Sequence, residues 1–262
     1  MKNHLSSGAM KRLRRHLFRP KIVVDQAGLP LRRLGTNYGG WTFVDSPDLF
    51  GSTAIFCGLG EDASFDVAFS RSYNARVVAV DPTPRAIAHF RVITERFGMS
   101  AELPQSQDGC LHPASYDLSG LDATRLQLVP LAVASRPGKY KFFAPPNPTH
   151  VSYSLTNFQN NYSMDTEHIE VDAITLSSLV SDYTNVQIVK LDIEGAEAEV
   201  IPELLQSGYH PPQILAEFDA MNNPSADARA RAVATDTCLR DHGYTCLFHD
   251  GRSTFTYLKS TP

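Results

Sequence analysis

Three groups of residues have the types and spacing for chemistry. Gly58, Gly60 and Ala63 follow a short apolar run in a G-x-G-x-x-A spacing, and Asp81 closes a second apolar run about twenty residues on. Glycines at such a turn let the backbone bend sharply and approach a ligand, and an acid there can accept hydrogen bonds from ribose hydroxyls. Asp192 and Glu194 end a third apolar run and Glu217 a fourth, so three carboxylates are expected on one rim. His150 stands among Tyr153, Ser154 and Asn157 in a segment rich in stacking and hydrogen-bonding groups.

A turn of the first kind serves two nucleoside cofactors, NAD and S-adenosylmethionine. In a dinucleotide site the pyrophosphate rests on the unpaired N–H groups of the following helix. Here Glu61 and Asp62 occupy that position. A carboxylate about 4 Å from a phosphate costs several kcal/mol at an effective dielectric near 20. S-adenosylmethionine has no phosphate and carries an ammonium and a sulfonium, so acids suit it. As plain helix caps the two acids would still disfavour a phosphate. The expected cofactor cradle is therefore Cys57, Gly58, Leu59, Gly60, Glu61 and Asp62. Asp81 is assigned to the ribose, Pro82 and Thr83 flank the adenine, and Ala132 and Val133 offer it their backbone. The structural alternatives are Asp81 as the N-cap of a helix opening at Pro84, and Ala132 and Val133 as core.

Moving a methyl group to a hydroxyl requires in-line alignment and removal of a proton, since an alcohol does not ionise unaided near neutral pH. Asp192, Glu194, Glu217 and His150 are the candidate bases. On an extended strand the spacing of Asp192 and Glu194 puts both on one face, with Glu217 arriving from a neighbouring strand. Three acids are also a donor set for a divalent cation such as Mg²⁺; a carboxylate base without metal is the favoured reading. Glu194 could instead cap a helix starting at Gly195, Glu197 complements a first helical turn, and Lys190 or Lys141 neutralises an acid.

The elements that position these groups alternate between short β-rich runs and longer helical stretches, the pattern of a parallel sheet with helices on both faces. Strands are expected at 52–57, 76–80, 126–134, 186–193 and 214–219, with an edge-like strand at 168–172. Helices are expected at 62–73, 84–97, 176–182, 195–208 and 224–243, the fourth kinked or split at Pro202. The last two runs, YTCLFHDG and STFTYLK, are joined too tightly for a parallel crossover, so the final strand runs antiparallel. That three-layer α/β sandwich, mostly parallel with an antiparallel C-terminal hairpin strand, is the Rossmann-like fold of class I methyltransferases. Residues 51–262 form this domain, with inserts at about 98–122 and 144–164, the latter a candidate acceptor lid; residues 1–50 are a basic N-terminal extension and lead-in.

The 262 residues are 42% hydrophobic and 20% charged, an ordinary globular balance. A formal net charge of -4 gives no global attraction to nucleic acid. The basic start, with Arg12, Arg14, Arg15 and Arg19, is read as a frayed tail with at most weak contact to a membrane surface. With no spanning run and no secretory signal, the cytoplasm is the default location. Four scattered cysteines form no zinc pattern and are read as reduced thiols.

Three blocks carry a family resemblance: FCGLGEDASFD (56–66) with AVDPTP (79–84), VKLDIEGAE (189–197), and ILAEFD (214–219). In these blocks the sequence resembles the FkbM-type S-adenosylmethionine-dependent methyltransferases. The resemblance implies a class I fold and O-methylation of a hydroxyl on a sugar, glycan or polyketide-like small molecule. The competing functions are a nicotinamide-dependent oxidoreductase, which the acids after the glycine turn and the terminal hairpin oppose, and a catalytically silent binding module.

Overall fold

The computed structural model describes residues 18, 21–26, 28–106, 111–147, 152–160, 163, 165–222 and 225–260. His150, Cys110 and the basic tail up to residue 17 lie outside the described residues. Strands β3 (Thr53–Cys57), β4 (Arg76–Val80) and β5 (Leu126–Val129) alternate with helices α1 (Ser64–Tyr73) and α2 (Pro84–Glu95). Strands β9 (Val186–Leu191) and β10 (Gln213–Glu217) alternate with α3 (Leu176–Ser181), α4 (Glu197–Gln206) and α5 (Ala226–Asp241). The chain closes with β11 (Tyr244–His249) and β12 (Thr254–Lys259).

Seven strands form the central sheet in the order β11-β12-β10-β9-β3-β4-β5. Strands β10, β9, β3, β4 and β5 pair in parallel, and β12 pairs antiparallel with both β10 and β11. The short HDGRS connection dictates this insertion, and the topology is that of a class I methyltransferase.

Burial follows the strand pleat. On β3, Ala54 and Phe56 face one core while Ile55 and Cys57 face the other. The first core is aromatic: Phe56 stacks on Phe65 at 4.7 Å, and Phe43 meets Phe69 and Tyr73 edge-on at 5.4 and 5.7 Å. The second is mainly aliphatic, with Phe218, Tyr244, Phe255 and Tyr257 at the β10–β12 end, and is covered by α3, α4 and α5. Helix α4 runs unbroken through Pro202. An interior proline costs about 3 kcal/mol through a lost hydrogen bond and a clash with the preceding turn, whereas burying Val200, Ile201, Leu204 and Leu205 contributes roughly 1.5–3 kcal/mol each.

Part of the expected lead-in belongs to this core. Strands β1 (Leu31–Leu34) and β2 (Trp41–Val44) form an antiparallel hairpin that contributes Trp41 and Phe43 to the aromatic side. Gln213 of β10 exchanges hydrogen bonds with both backbone groups of Val44 at 2.9 Å, and Thr256 of β12 donates to the carbonyl of Thr42 at 2.6 Å. The hairpin thus covers β10 and β12 on the face opposite α3 to α5.

Two expected strands are corrected. The run 126–134 does not continue through its length: β5 stops at Val129, because Pro130 has no N–H for the ladder, and β6 (Ala132–Val133) joins a different sheet. That second sheet has the order β6-β8-β7, with β7 (Gly138–Phe143) antiparallel to β8 (His168–Ile174). The segment expected as an edge at 168–172 is therefore its middle strand. Among its described residues the insert at 98–122 holds one 3-10 turn, at Pro113–Ser115, and buries Tyr116, Leu118 and Leu121 in the aromatic core. Among the described residues no helix is long and apolar enough to cross a membrane.

Candidate functional site

Strand β3 delivers the chain into a turn with Gly58 at φ +87° and Gly60 at φ +56°. At Gly58 a Cβ would lie 2.0 Å from the carbonyl oxygen of Asp192, so only glycine lets the ends of β3 and β9 approach this closely. The Asp192 N–H in turn donates to the Cys57 carbonyl at 3.1 Å.

Several backbone donors of this turn are already paired. Leu59 N–H and Gly60 N–H both donate to Asp81 Oδ2 at 3.0 Å, while Asp81 Oδ1 accepts from the Thr83 N–H at 2.8 Å and the Thr83 hydroxyl at 2.6 Å. Ahead of α1, Ala63 N–H donates to the Tyr116 hydroxyl and Ser64 N–H to Asp62 Oδ1, each at 2.9 Å. Asp62 Oδ2 accepts from the Thr36 hydroxyl at 2.6 Å. Glu61 is met by Arg85 through two guanidinium nitrogens, one of them at 3.1 Å.

This geometry changes the sequence argument against a pyrophosphate. Glu61 is compensated by Arg85, so its charge repels less than expected. A further obstacle is that four amides of the turn and helix start, those of Leu59, Gly60, Ala63 and Ser64, are held by Asp81, Tyr116 and Asp62. Asp81 itself accepts four hydrogen bonds, the capacity of a carboxylate. It thus braces the turn and the residue before α2, whose N-cap is Thr83 and not Asp81.

The strand ends beside the turn carry the acids. Asp192 lies 3.7 Å from Lys190 Nζ, with its side chain 32% exposed. Lys190 is buried, donates to the Gly58 carbonyl, and sits 5.3 Å from the centre of the Trp41 ring. Glu194 is pushed up to about 8, first by burial and then by the charge of Asp192, with Glu217 and Glu197 adding to it and a hydrogen bond from Ser152 opposing. Glu217 is pushed up to about 7 by burial and then Asp192, although Ser253 donates to it at 2.8 Å. Burial also raises Asp192, against the pull of Lys190. The structure therefore brings Asp192, Glu194 and Glu217 into one electrostatic group.

The route by which it does so differs from the expectation. Strand β9 ends at Leu191, so Asp192 and Glu194 do not share a strand face; they sit in a turn where Glu194 adopts φ +56°. No helix starts at Gly195 either, since α4 opens at Glu197. Glu197 is buried and accepts from the N–H groups of Ile193 at 3.0 Å and Gly195 at 3.3 Å, bracing the turn from within. Burial is the main reason its carboxyl is pushed up to about 8.

Burial pushes the Cys57 thiol up to about 12, which leaves it inert. Thr83 is buried against Asp81 and Pro82 is half-buried. Val133 is packed into the aliphatic core and Ala132 into the small sheet's own core. Lys141 lies on β7 opposite Glu170. Tyr153 stacks on Phe142, Ser154 is buried, and Asn157 donates to Ser163 and Thr166.

Residues the sequence left unmarked complete the site. Thr36 and Trp41 come from the N-terminal hairpin; their signal was the glycine-rich TNYGGW turn before a lone tryptophan. Tyr116 reaches back from the insert, and its hydroxyl also pairs with His89 Nε2 at 2.9 Å. Burial lowers the His89 pKa. Among the described residues, no group of three or more His, Cys, Asp or Glu is arranged to hold a metal.

Comparison with known proteins gives one family and several distant structures. The family described as methyltransferase FkbM domain matches residues 57–244. A search of curated proteins returns no match. Among solved structures, precorrin-6Y C5,15-methyltransferase from Geobacter metallireducens GS-15 is 13% identical with a TM-score of 0.39, covering 99% of this chain and 92% of that one. The C-terminal domain of precorrin-6Y C5,15-methyltransferase from Rhodobacter capsulatus is 10% identical with a TM-score of 0.39, at the same coverages of 99% and 92%. The fibrillarin pre-rRNA processing protein of Methanococcus jannaschii is 9% identical with a TM-score of 0.39, covering 83% of this chain and 70% of that one.

Proposed function

We propose that this chain, which belongs to the methyltransferase FkbM domain family, is an O-methyltransferase acting on a hydroxyl of a sugar, glycan or polyketide-like small molecule. Membership of the family carries S-adenosylmethionine-dependent methyl transfer; the acceptor is our inference. The observation that carries it is the group of Asp192, Glu194 and Glu217 at the carboxyl ends of β9 and β10. Carboxyls pushed up to about 8 at Glu194 and about 7 at Glu217 are matched to removing a proton near neutral pH.

The residues fit the cofactor. The Leu59, Gly60, Ala63 and Ser64 amides are held by protein groups, which leaves them unavailable to a pyrophosphate, and partly buried acids beside the turn suit a cationic ligand. Gly58, Leu59, Gly60 and Asp62 would hold the cofactor, with Asp81 fixing the turn they form. When bound, S-adenosylmethionine supplies a methyl group activated by a cationic sulfonium. Glu194 takes the acceptor proton, Glu217 and Asp192 hold its affinity for that proton high, and Lys190 restrains Asp192. A nucleic-acid acceptor is disfavoured because its phosphates would face these carboxylates.

The test is transfer of a labelled methyl group from S-adenosylmethionine to a panel of sugar and polyketide alcohols beside matched amines. Labelled methyl ethers are expected. Transfer to amines alone would overturn the O-methyl reading, and a melting temperature raised by NAD but not by S-adenosylhomocysteine would overturn the cofactor.

A further inference from the structure

The turn between β9 and α4 is held from outside by two elements, and one of them belongs to the small sheet. Glu194 is a non-glycine residue at φ +56°, a left-handed conformation that persists only where its surroundings over-determine it. From α5, Arg231 donates to the Gly195 carbonyl at 3.1 Å and pairs with Glu199 at 3.0 Å. From the segment after β7, the Ser154 hydroxyl lies 2.5 Å from the Glu194 carbonyl and 2.7 Å from that of Thr156, its one proton serving the pair.

Ser154 is itself fixed. It is 1% exposed, and its backbone exchanges hydrogen bonds with Phe143 of β7 at 2.8 and 3.0 Å. Two residues earlier, the Ser152 hydroxyl donates to the Glu194 carboxylate. One short loop of the small sheet thus touches both the backbone and the side chain of the same residue. The charged groups around Glu194 are the acids Asp192, Glu197 and Glu217, with Lys190 beside Asp192 and Arg231 behind Gly195.

We propose that Ser154 and Ser152 are positioning residues for Glu194, Ser154 by locking the turn through its carbonyl and Ser152 by aiming its carboxylate toward Asp192 and Glu217. The small three-stranded sheet is then part of the proton-accepting machinery. This rests on Glu194 being the proton acceptor, but its test does not.

The test follows the Glu194 carboxyl by carbon NMR in glutamate-labelled protein saturated with S-adenosylhomocysteine, the signal identified by its loss in Glu194→Gln. In Ser152→Ala the titration midpoint is expected to rise, because a donor to the charged form is removed. In Ser154→Ala it is expected to fall toward the ordinary glutamate range as the turn relaxes and the carboxyl meets solvent. Affinity for S-adenosylhomocysteine should stay within about threefold in both, since neither serine touches the glycine turn. A midpoint that does not move in either variant, or that moves the same way in both, overturns the proposal. Ser152 is only partly buried, so Ser152→Ala keeps the test decisive if Ser154→Ala fails to fold. Undiminished methyl transfer by Glu194→Gln would defeat the base assignment while leaving this titration result standing.

Discussion

Two sets of carboxylates stand on the same rim of the sheet and live under opposite conditions. Asp62 and Asp81 are surrounded by donors: backbone N–H groups, Thr36 and Thr83 account for six hydrogen bonds. Asp192, Glu194 and Glu217 are buried close to one another with fewer donors each: Lys190 beside Asp192, Ser152 for Glu194, and Ser253 and Asn222 for Glu217. A saturated carboxylate is a structural brace, because moving it orphans several buried amides. A crowded one holds its proton tightly and can exchange it near neutral pH. The supply of donors, and not the residue type, divides the rim into a part that holds and a part that reacts.

The largest break in that division is Asp81→Ala. It would leave the amides of Leu59, Gly60 and Thr83 without partners, at about 1–3 kcal/mol each. Affinity for S-adenosylhomocysteine is expected to fall by about 100-fold or more, measured by calorimetric titration, together with a lower melting temperature. Wild-type affinity in this variant would mean that the brace is dispensable. Next comes Glu194→Gln, which removes a proton acceptor without altering the glycine turn. Turnover is expected to drop about 10²- to 10⁴-fold with S-adenosylhomocysteine affinity within about threefold. A comparable loss of affinity would erase the distinction between the two sets.

A smaller effect reads the crowding directly. Glu194 and Glu197 are pushed up to about 8, Glu217 to about 7 and the buried Asp66 to about 6, all above their unfolded values. A group whose folded pKa is raised favours the folded state fully below its unfolded pKa and loses that contribution as pH rises through the folded one. Stability of the ligand-free protein should therefore decline from about pH 5 to about pH 8, with a shallower slope in Glu194→Gln. Urea unfolding across that range checks it; a rising or flat profile would show that the acids are not crowded.

Much of this frame was legible in the sequence because it rests on local rules. The apolar runs of β3, β4, β9 and β10, the glycines after β3 and the short HDGRS connection each dictate their own geometry. Residues of strong local pattern also brought Asp192, Glu194 and Glu217 to adjoining strand ends. What was not legible depends on distant partners. Pro130 could have warned that the run 126–134 would break, but nothing local says that Ala132 pairs with Ala173 of β8. Glu194 looked like an alternating strand residue because its left-handed turn is held by Ser154 and Arg231, forty and thirty-seven residues away. The hairpin before residue 51 was read as a lead-in for the same reason: its strands are short, and its burial comes from Gln213, Thr256 and the aromatic face of α1.

That hairpin supplies the finest test of the comparison. Thr36 gives the segment before residue 51 a hydrogen bond into the saturated set, donating to Asp62 Oδ2 while accepting from the Gly39 N–H at 2.9 Å. Thr36→Val keeps the shape and removes both bonds. Asp62 retains the Ser64 N–H, so the turn should persist, and the loss is expected at about 1–2 kcal/mol of stability. If the hairpin helps to hold the cofactor turn rather than merely covering β10 and β12, S-adenosylhomocysteine should also bind about three- to tenfold more weakly, and its stabilisation in a thermal shift should shrink. Lower stability with unchanged affinity would confine the hairpin to the core and leave Asp81 as the principal brace, because Gln213 and Thr256 hold β2 in place without reference to Asp62.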